Sequence, residues 1–178
     1  MVLSEILDEM RKSKDFHVKE LGTDSPTFPC VHEGNVLPDD VIEFYKLCNG
    51  VLCYVDEYDE DLEEGGFPLE ILPSEKVLES FKVIGGNAET DRTKEYMSSW
   101  YVIADCLDGN YITIDFAPDR LGRCYESFEY THGSIGDCKI VAHSFTEFLQ
   151  HLLEYSGGFF YWEDNPDFTS YGDAFDKL

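Results

Sequence analysis

Apolar residues recur at helical spacing in several segments of the chain. The spacing predicts helices over residues 3–10, 37–48, 73–81 and 145–153. Ser4 and Ser144 are suited to cap the first and last helices, and Pro38 suits the first turn of the second. Asn49-Gly50 and Gly157-Gly158 predict the ends of the second and last helices.

Short stretches rich in β-branched and aromatic residues predict strands. They cover residues 51–55, 67–72, 100–104, 111–116, 123–128 and 139–142. Asp108-Gly109 predicts a hairpin turn, and 118–122 predicts the next turn. The polar stretch 84–99 is predicted to be a loop. Consecutive strands that form an antiparallel meander, with helices before and after them, predict an α+β fold with a mainly antiparallel sheet.

Composition adds one unusual feature, the charge. The chain has 178 residues, which suits one domain with a tail, and a formal net charge of -24. This charge opposes nucleic-acid phosphates and anionic membranes, so it argues against binding either of them directly. It favours a basic protein partner and speeds the encounter with it.

The segment 1–14 has no long apolar run, so we expect no signal peptide. No stretch approaches the roughly 20 apolar residues of a membrane span. We therefore expect a cytoplasmic protein whose six cysteines are free thiols and mostly core residues.

The residues that could carry chemistry have simpler structural explanations. Asp105, Asp108, Asp115 and Asp119 cluster around adjacent turns in the sequence, where an acid–base or calcium site is conceivable. Acids in turns ordinarily bond the local backbone, and the spacing of a calcium-binding helix–loop–helix is absent. We therefore expect no catalytic residue, no metal and no cofactor, and keep a metal-dependent enzyme as an alternative.

One candidate binding region is the acidic segment, residues 54–64. Seven acids fall within nine residues: Asp56, Glu57, Asp59, Glu60, Asp61, Glu63 and Glu64. Tyr54 and Tyr58 lie among them as rigid aromatic anchors of the kind that binding hot spots favour. The alternative interpretation is a solvated, flexible loop.

A second candidate region is the C-terminal extension, residues 159–178. It has too many aromatic residues for a disordered tail, and we expect Phe159, Phe160 and Phe168 to cover an apolar face of a domain formed by residues 1–158. The residues expected to face a partner, through ion pairs and cation–π contacts, are Trp162, Glu163, Asp164 and Tyr171.

Several short motifs follow one another along the chain: Leu37-Pro38, Asn49-Gly50, Ile103-Ala104-Asp105, Asp108-Gly109, Ile114-Asp115 and the run 142–149. Taken in this order, they resemble the SUKH superfamily, which includes fungal cell-wall glucan-synthesis regulators and bacterial toxin-immunity proteins. The resemblance covers roughly residues 1–157 and implies a mainly antiparallel sheet with helices packed around it. The extension and the dense acidic run lie outside the pattern.

The resemblance implies a function in protein binding. Many bacterial members neutralise a cognate polymorphic toxin, often a nuclease, by direct binding. With the acidic charge, this predicts an immunity protein that binds a basic toxin, a nuclease, through an acidic surface. The alternative is a non-enzymatic regulatory or scaffold protein of the glucan-synthesis regulator type, although those members use long disordered extensions that this chain lacks.

Overall fold

A seven-stranded antiparallel sheet organises the structure, a computed structural model that describes residues 1–22, 26–54, 69–86, 88–106, 109–155 and 160–178. Each strand pairs with the next one in the chain, in the order β1 to β7. The strands are β1 Phe16–Val18, β2 Val51–Cys53, β3 Leu69–Ile71, β4 Trp100–Asp105, β5 Asn110–Asp115, β6 Cys124–Phe128 and β7 Ile140–Ala142. The predicted α+β fold with an antiparallel meander is confirmed.

Helices pack against this sheet through apolar stripes. They are α1 Leu3–Lys12, α2 Asp39–Leu47, α3 Ser80–Val83, α4 Asp91–Tyr96, α5 Phe145–Glu154 and α6 Tyr161–Asp164, with short 3-10 turns at Ser74–Lys76 and Met97–Ser99. Helices α1, α2 and α5 contact one another, and their buried side chains join those of the strands in the larger core. Phe44 at its centre meets Phe145 edge to face, with ring centroids 5.0 Å apart.

A second, smaller core joins the C-terminal extension to the sheet. Trp100 stacks on Tyr125 at 4.2 Å and on Phe175 of the extension at 5.8 Å. Backbone hydrogen bonds link the extension to β7 and to the residues just before it, from Ile140 N to Gly172 O and from Ala174 N to Cys138 O. These bonds occupy backbone groups along a strand at the border of the sheet, where an unpaired strand could pair with another chain.

Three local predictions were wrong, and in each case tertiary contacts decide the structure. Residues 73–81 do not form one helix, because the backbone at Leu78 and Glu79 runs beside β4, where Leu78 O accepts from Val102 N. The expected loop at 84–99 contains α4, whose cap is Thr90. Strand β1 was not predicted, since three residues carry too little alternation to reveal it.

The predicted caps gave two different outcomes. Ser4 lies inside α1, whose N-cap is Val2, and Glu5 instead accepts from the Val2 N–H. The Ser144 prediction is confirmed, since its Oγ accepts from Glu147 N at 3.1 Å.

Ser144→Ala is expected to lower the free energy of unfolding by about 1 kcal/mol, because it removes the cap of α5. Chemical denaturation measures this change. Ser144→Asp is the control, since aspartate keeps an acceptor at the N-cap and should retain most of the stability. Equal losses in both variants would show that the cap is not responsible.

Candidate functional site

The strand registers bring several connections to one end of the sheet. Cys53 pairs with Leu69 on either side of the β2–β3 connection, and Asp105 pairs with Tyr111 beside the β4–β5 turn. Phe128, the last residue of β6, pairs with Asn110 at this same end. The β6–β7 connection therefore starts there too. We call this end of the sheet the acidic end.

The acidic end takes its name from its described acids. Asp105 ends β4, and the β6–β7 connection carries Glu129 and Asp137. Glu126 lies on β6. The strand spacing places the start of β3 and the end of β6 roughly 14 Å apart, since three strand intervals separate these two strands. A single bound protein is wide enough to contact both strand ends.

Most of the acidic segment lies outside the described residues. This holds for Asp56, Glu57, Tyr58, Asp59, Glu60, Asp61, Glu63 and Glu64, so their part in binding stays a prediction. The pairing of its flanks fixes where the segment leaves and re-enters the sheet, which is at the acidic end.

Tyr54 is described, and its side chain does not lie on the surface as expected. The ring is fully buried, 5.8 Å from Phe16, and its hydroxyl donates to Leu152 O at 3.4 Å. Its φ of 61° is unusual for a bulky residue and turns the chain as it leaves β2. The Tyr54 ring is buried because it fills a gap between β1 and α5.

Trp162 was expected to face a partner, and it lies in the core instead. Its ring stacks almost parallel on Phe160 at 4.8 Å and lies 6.1 Å from Phe148 of α5. The neighbouring Tyr161 hydroxyl donates to Val141 O at 2.7 Å. Apolar contact with α5 outweighs the acidic neighbours in sequence, and the start of the extension thereby joins the larger core.

The remaining predicted residues of the extension are exposed but lie apart. Tyr171 donates through its hydroxyl to Glu147 at 2.8 Å and packs on His143 at 4.1 Å. His143 follows β7 at the end of the sheet opposite the acidic end. Asp164 is exposed at the end of α6. Glu163 differs, because it lines a cavity together with Glu126.

This cavity, which we call the Glu126–Glu163 cavity, has a volume of about 270 Å³. Its lining residues are Asn110, Glu126, Phe128, Thr131, Gly136, Asp137, Lys139 and Glu163. Lys139 contacts Glu126 at 3.1 Å. Burial, and then a hydrogen bond with Glu126, raise the pKa of Glu163 to about 7. Glu163 is exposed as a whole residue, but part of it lines the cavity beside Glu126.

Glu126 was not among the site residues predicted from the sequence, although its position carries a signal. In β6 a glutamate stands between Tyr125 and Ser127 in a strand that is otherwise mostly buried. Glu126 is itself buried, and a buried acid needs a partner, so its position in a predicted strand could have been marked as unusual.

The four acids weighed as an acid–base or calcium site are not brought together. Asp105 and Asp115 lie at opposite ends of the β4–β5 hairpin, and Asp108 is outside the described residues. Asp115 is fully buried, where it accepts from Ala117 N, as expected for an acid that bonds a turn. Asp119 is exposed and pairs with Arg120.

The described ranges contain neither a cluster of metal-ligating side chains nor a helix able to cross a membrane. Among those residues, no three His, Cys, Asp or Glu side chains are grouped so as to hold a metal ion. No described helix is long and apolar enough to cross a membrane. The six cysteines are all described as free thiols, with Cys30 exposed and the other five buried.

Comparison with known proteins gives the family. Residues 33–151 match the SMI1/KNR4 family (SUKH-1). The chain belongs to this SUKH family. It is 36% identical over 151 residues to the protein named immunity protein YokJ of Bacillus subtilis (strain 168), covering 84% of each chain. No solved structure matches the chain. The family predicted from the short motifs is confirmed, and the match spans most of the sheet and α5.

Proposed function

We propose that this chain is an immunity protein that neutralises a cognate toxin by binding it directly, without catalysis and without a cofactor. The observation that carries the proposal is the similarity to immunity protein YokJ over 84% of both chains. The similarity covers 151 aligned residues, so it is not restricted to one motif.

We propose further that the toxin is basic and is a nuclease. The net charge of -24 supports a basic partner, since opposite charges speed association. A nuclease must bind a polyanion, and cationic side chains line such sites. An acidic protein that covers those side chains would exclude the nucleic acid from the toxin.

The proposed binding surface is the acidic end. Three observations support this choice: the paired flanks of the acidic segment, the acids of the β6–β7 connection, and the Glu126–Glu163 cavity between β6 and α6. Tyr54 and Trp162 take no part in this surface, because both rings are buried. Tyr171 lies toward the other end of β7 and is not included.

Co-expression tests the proposal. A candidate cognate toxin is produced in a sensitive host, with and without the protein. We expect growth only when the protein is present, and recovery of a complex of the two chains. Death of the host in both cases, or rescue without a complex, would contradict neutralisation by direct binding.

The acidic segment is tested by the triple variant Asp59→Asn, Glu60→Gln and Asp61→Asn. We expect its association rate with the toxin to fall by about tenfold at low salt and by less at high salt, because screening already weakens the attraction there. The matched control removes three exposed acids that lie together beside the β5–β6 connection, at the other end of the sheet: Glu33→Gln, Glu95→Gln and Asp119→Asn. Equal rates for both triple variants would contradict a role for the segment.

A further inference from the structure

The Glu126–Glu163 cavity is large enough to hold one side chain of a bound protein. Its volume of about 270 Å³ falls below the roughly 300–1,000 Å³ typical of pockets for small-molecule ligands and cofactors. Liquid water would fill it with about nine molecules. A single long side chain from a bound protein is an occupant of suitable size.

The chemistry of the lining favours a cation. Glu126 is buried, and Glu163 lines the same cavity, so two carboxyl groups border one small space. Lys139 contacts Glu126 from the rim with its side chain about half exposed. An incoming cation would displace the proton that Glu163 takes up because its pKa is raised, and it would then pair with both carboxyl groups. The raised pKa of Glu163 fits this exchange, because the proton is readily lost near neutral pH.

The geometry distinguishes arginine from lysine. Two adjoining carboxyl groups present several acceptor oxygens close together, and the planar guanidinium group donates along parallel directions to such acceptors. The ammonium group of a lysine is a point charge, and Lys139 already supplies one to Glu126.

The surroundings of the cavity resemble a binding surface. Tyr130 and Ile135 are exposed large side chains, 71% and 56% accessible, on the β6–β7 connection that also contributes Thr131 and Asp137 to the cavity. The Tyr130 ring lies edge-on to the cavity residue Phe128 at 5.2 Å. An exposed aromatic ring beside a charged pocket is a common arrangement at binding hot spots.

We propose that the Glu126–Glu163 cavity binds an arginine side chain of the basic partner, with Tyr130 and Ile135 packing beside the inserted residue. The identification of that partner as a toxin rests on the proposed function. The affinity of the cavity for a guanidinium group does not, so the two are tested separately.

The cavity is tested on the full chain alone, with acetyl-arginine-amide as the probe. Side-chain NMR signals of Asn110, Lys139 and Glu163 are followed at pH 7 and low salt. We expect saturable shifts with this probe and none with acetyl-citrulline-amide, its uncharged analogue. Glu163→Gln is expected to weaken binding roughly tenfold, because the amide can still bond Glu126 but carries no charge.

Two further variants test whether binding depends on the cavity itself. Asp167→Asn removes one exposed acid from the same extension outside the cavity lining, and it should leave binding within about twofold. Lys139→Met removes the cation that competes for Glu126, and it should bind the probe more tightly than the unaltered chain. Missing or equal shifts with the two probes, or no gain with Lys139→Met, would overturn the proposal.

The same variants are then titrated with the toxin from the co-expression test. Weaker toxin binding by Glu163→Gln than by Asp167→Asn is expected, and equal binding would overturn the claim that the cavity receives the partner. If the unaltered chain fails to bind the toxin, the proposed function fails, while the probe titration still decides whether the cavity binds arginine.

Discussion

Asp115→Ala is expected to lower the free energy of unfolding by about 3–5 kcal/mol, the range for breaking one partner of a buried ion pair. Asp115 is fully buried, and the Arg120 side chain that pairs with it at 2.8 Å is 14% exposed. Without the carboxylate, the guanidinium group would remain in a low-dielectric environment without its buried counter-charge.

The same carboxylate also bonds neutral donors from several elements. Its oxygens accept from Ser99 Oγ at 2.6 Å, Trp100 Nε1 at 3.1 Å, Tyr125 OH at 3.0 Å and Ala117 N at 2.9 Å. Alanine would leave these donors buried without an acceptor, and each such group costs about 1–3 kcal/mol. These losses overlap with the loss of the ion pair, so they are not added to it.

Urea denaturation measures the effect, with Asp119→Asn as the matched control. Asp119 contacts the same Arg120 at 3.0 Å, but its side chain is 74% exposed. An exposed pair contributes little, so the control should lose less than about 1 kcal/mol. A similar loss in both variants would show that burial at Asp115 does not determine the stability.

Stability is expected to fall by about 3 kcal/mol between pH 6.5 and pH 4 through His132 alone. The ring is buried between Phe81 and Trp100, and neither ring nitrogen has a hydrogen-bond partner within the described structure. Burial disfavours the charged imidazolium and lowers the pKa of His132 from 6.5 to about 4.

The free energy of unfolding falls with falling pH because the unfolded chain takes up a proton on His132 before the folded chain does. Above pH 6.5 the histidine is neutral in the folded and the unfolded chain, so its contribution is constant. Between pH 6.5 and pH 4 the unfolded chain is protonated and the folded chain is not, which favours unfolding by about 1.4 kcal/mol per pH unit. Below pH 4 both states are protonated and the effect levels off.

His132→Phe isolates this contribution, because phenylalanine cannot titrate and gives up no hydrogen bond within the described structure. Denaturation of both proteins is measured from pH 7.5 to pH 4, and their difference is taken at each pH. Other titrating groups, such as Glu163, are common to both proteins and cancel. We expect the difference to grow by about 3 kcal/mol in favour of the variant as pH falls. A constant difference would contradict a buried neutral His132.

The sequence predicted those parts of the fold that depend on local pattern. The meander from β4 to β6 and the helices α1, α2 and α5 carry clear periodicity and turn signals, and the structure contains them. Strand β1 and the extended stretch at Leu78 were not predicted, because their backbone hydrogen bonds go to residues distant in the chain. Such pairings leave little trace in a local pattern.

The candidate site was less predictable for a related reason. Tyr54 and Trp162 look like surface anchors in the sequence because acids surround them, but a ring's exposure depends on which elements pack above it. Glu126 and Glu163 are 37 positions apart in the chain, and only the path of the C-terminal extension brings both to the lining of one cavity. No spacing rule connects two such residues.

Titration of the purified toxin with the purified protein, read as toxin activity, tests the central claim most directly. If the toxin is a nuclease, the readout is nucleic-acid cleavage. We predict that activity falls in proportion to added protein and is abolished once the toxin is saturated, with weaker inhibition as salt screens the attraction. Full toxin activity at a saturating concentration of the protein would contradict neutralisation by direct binding.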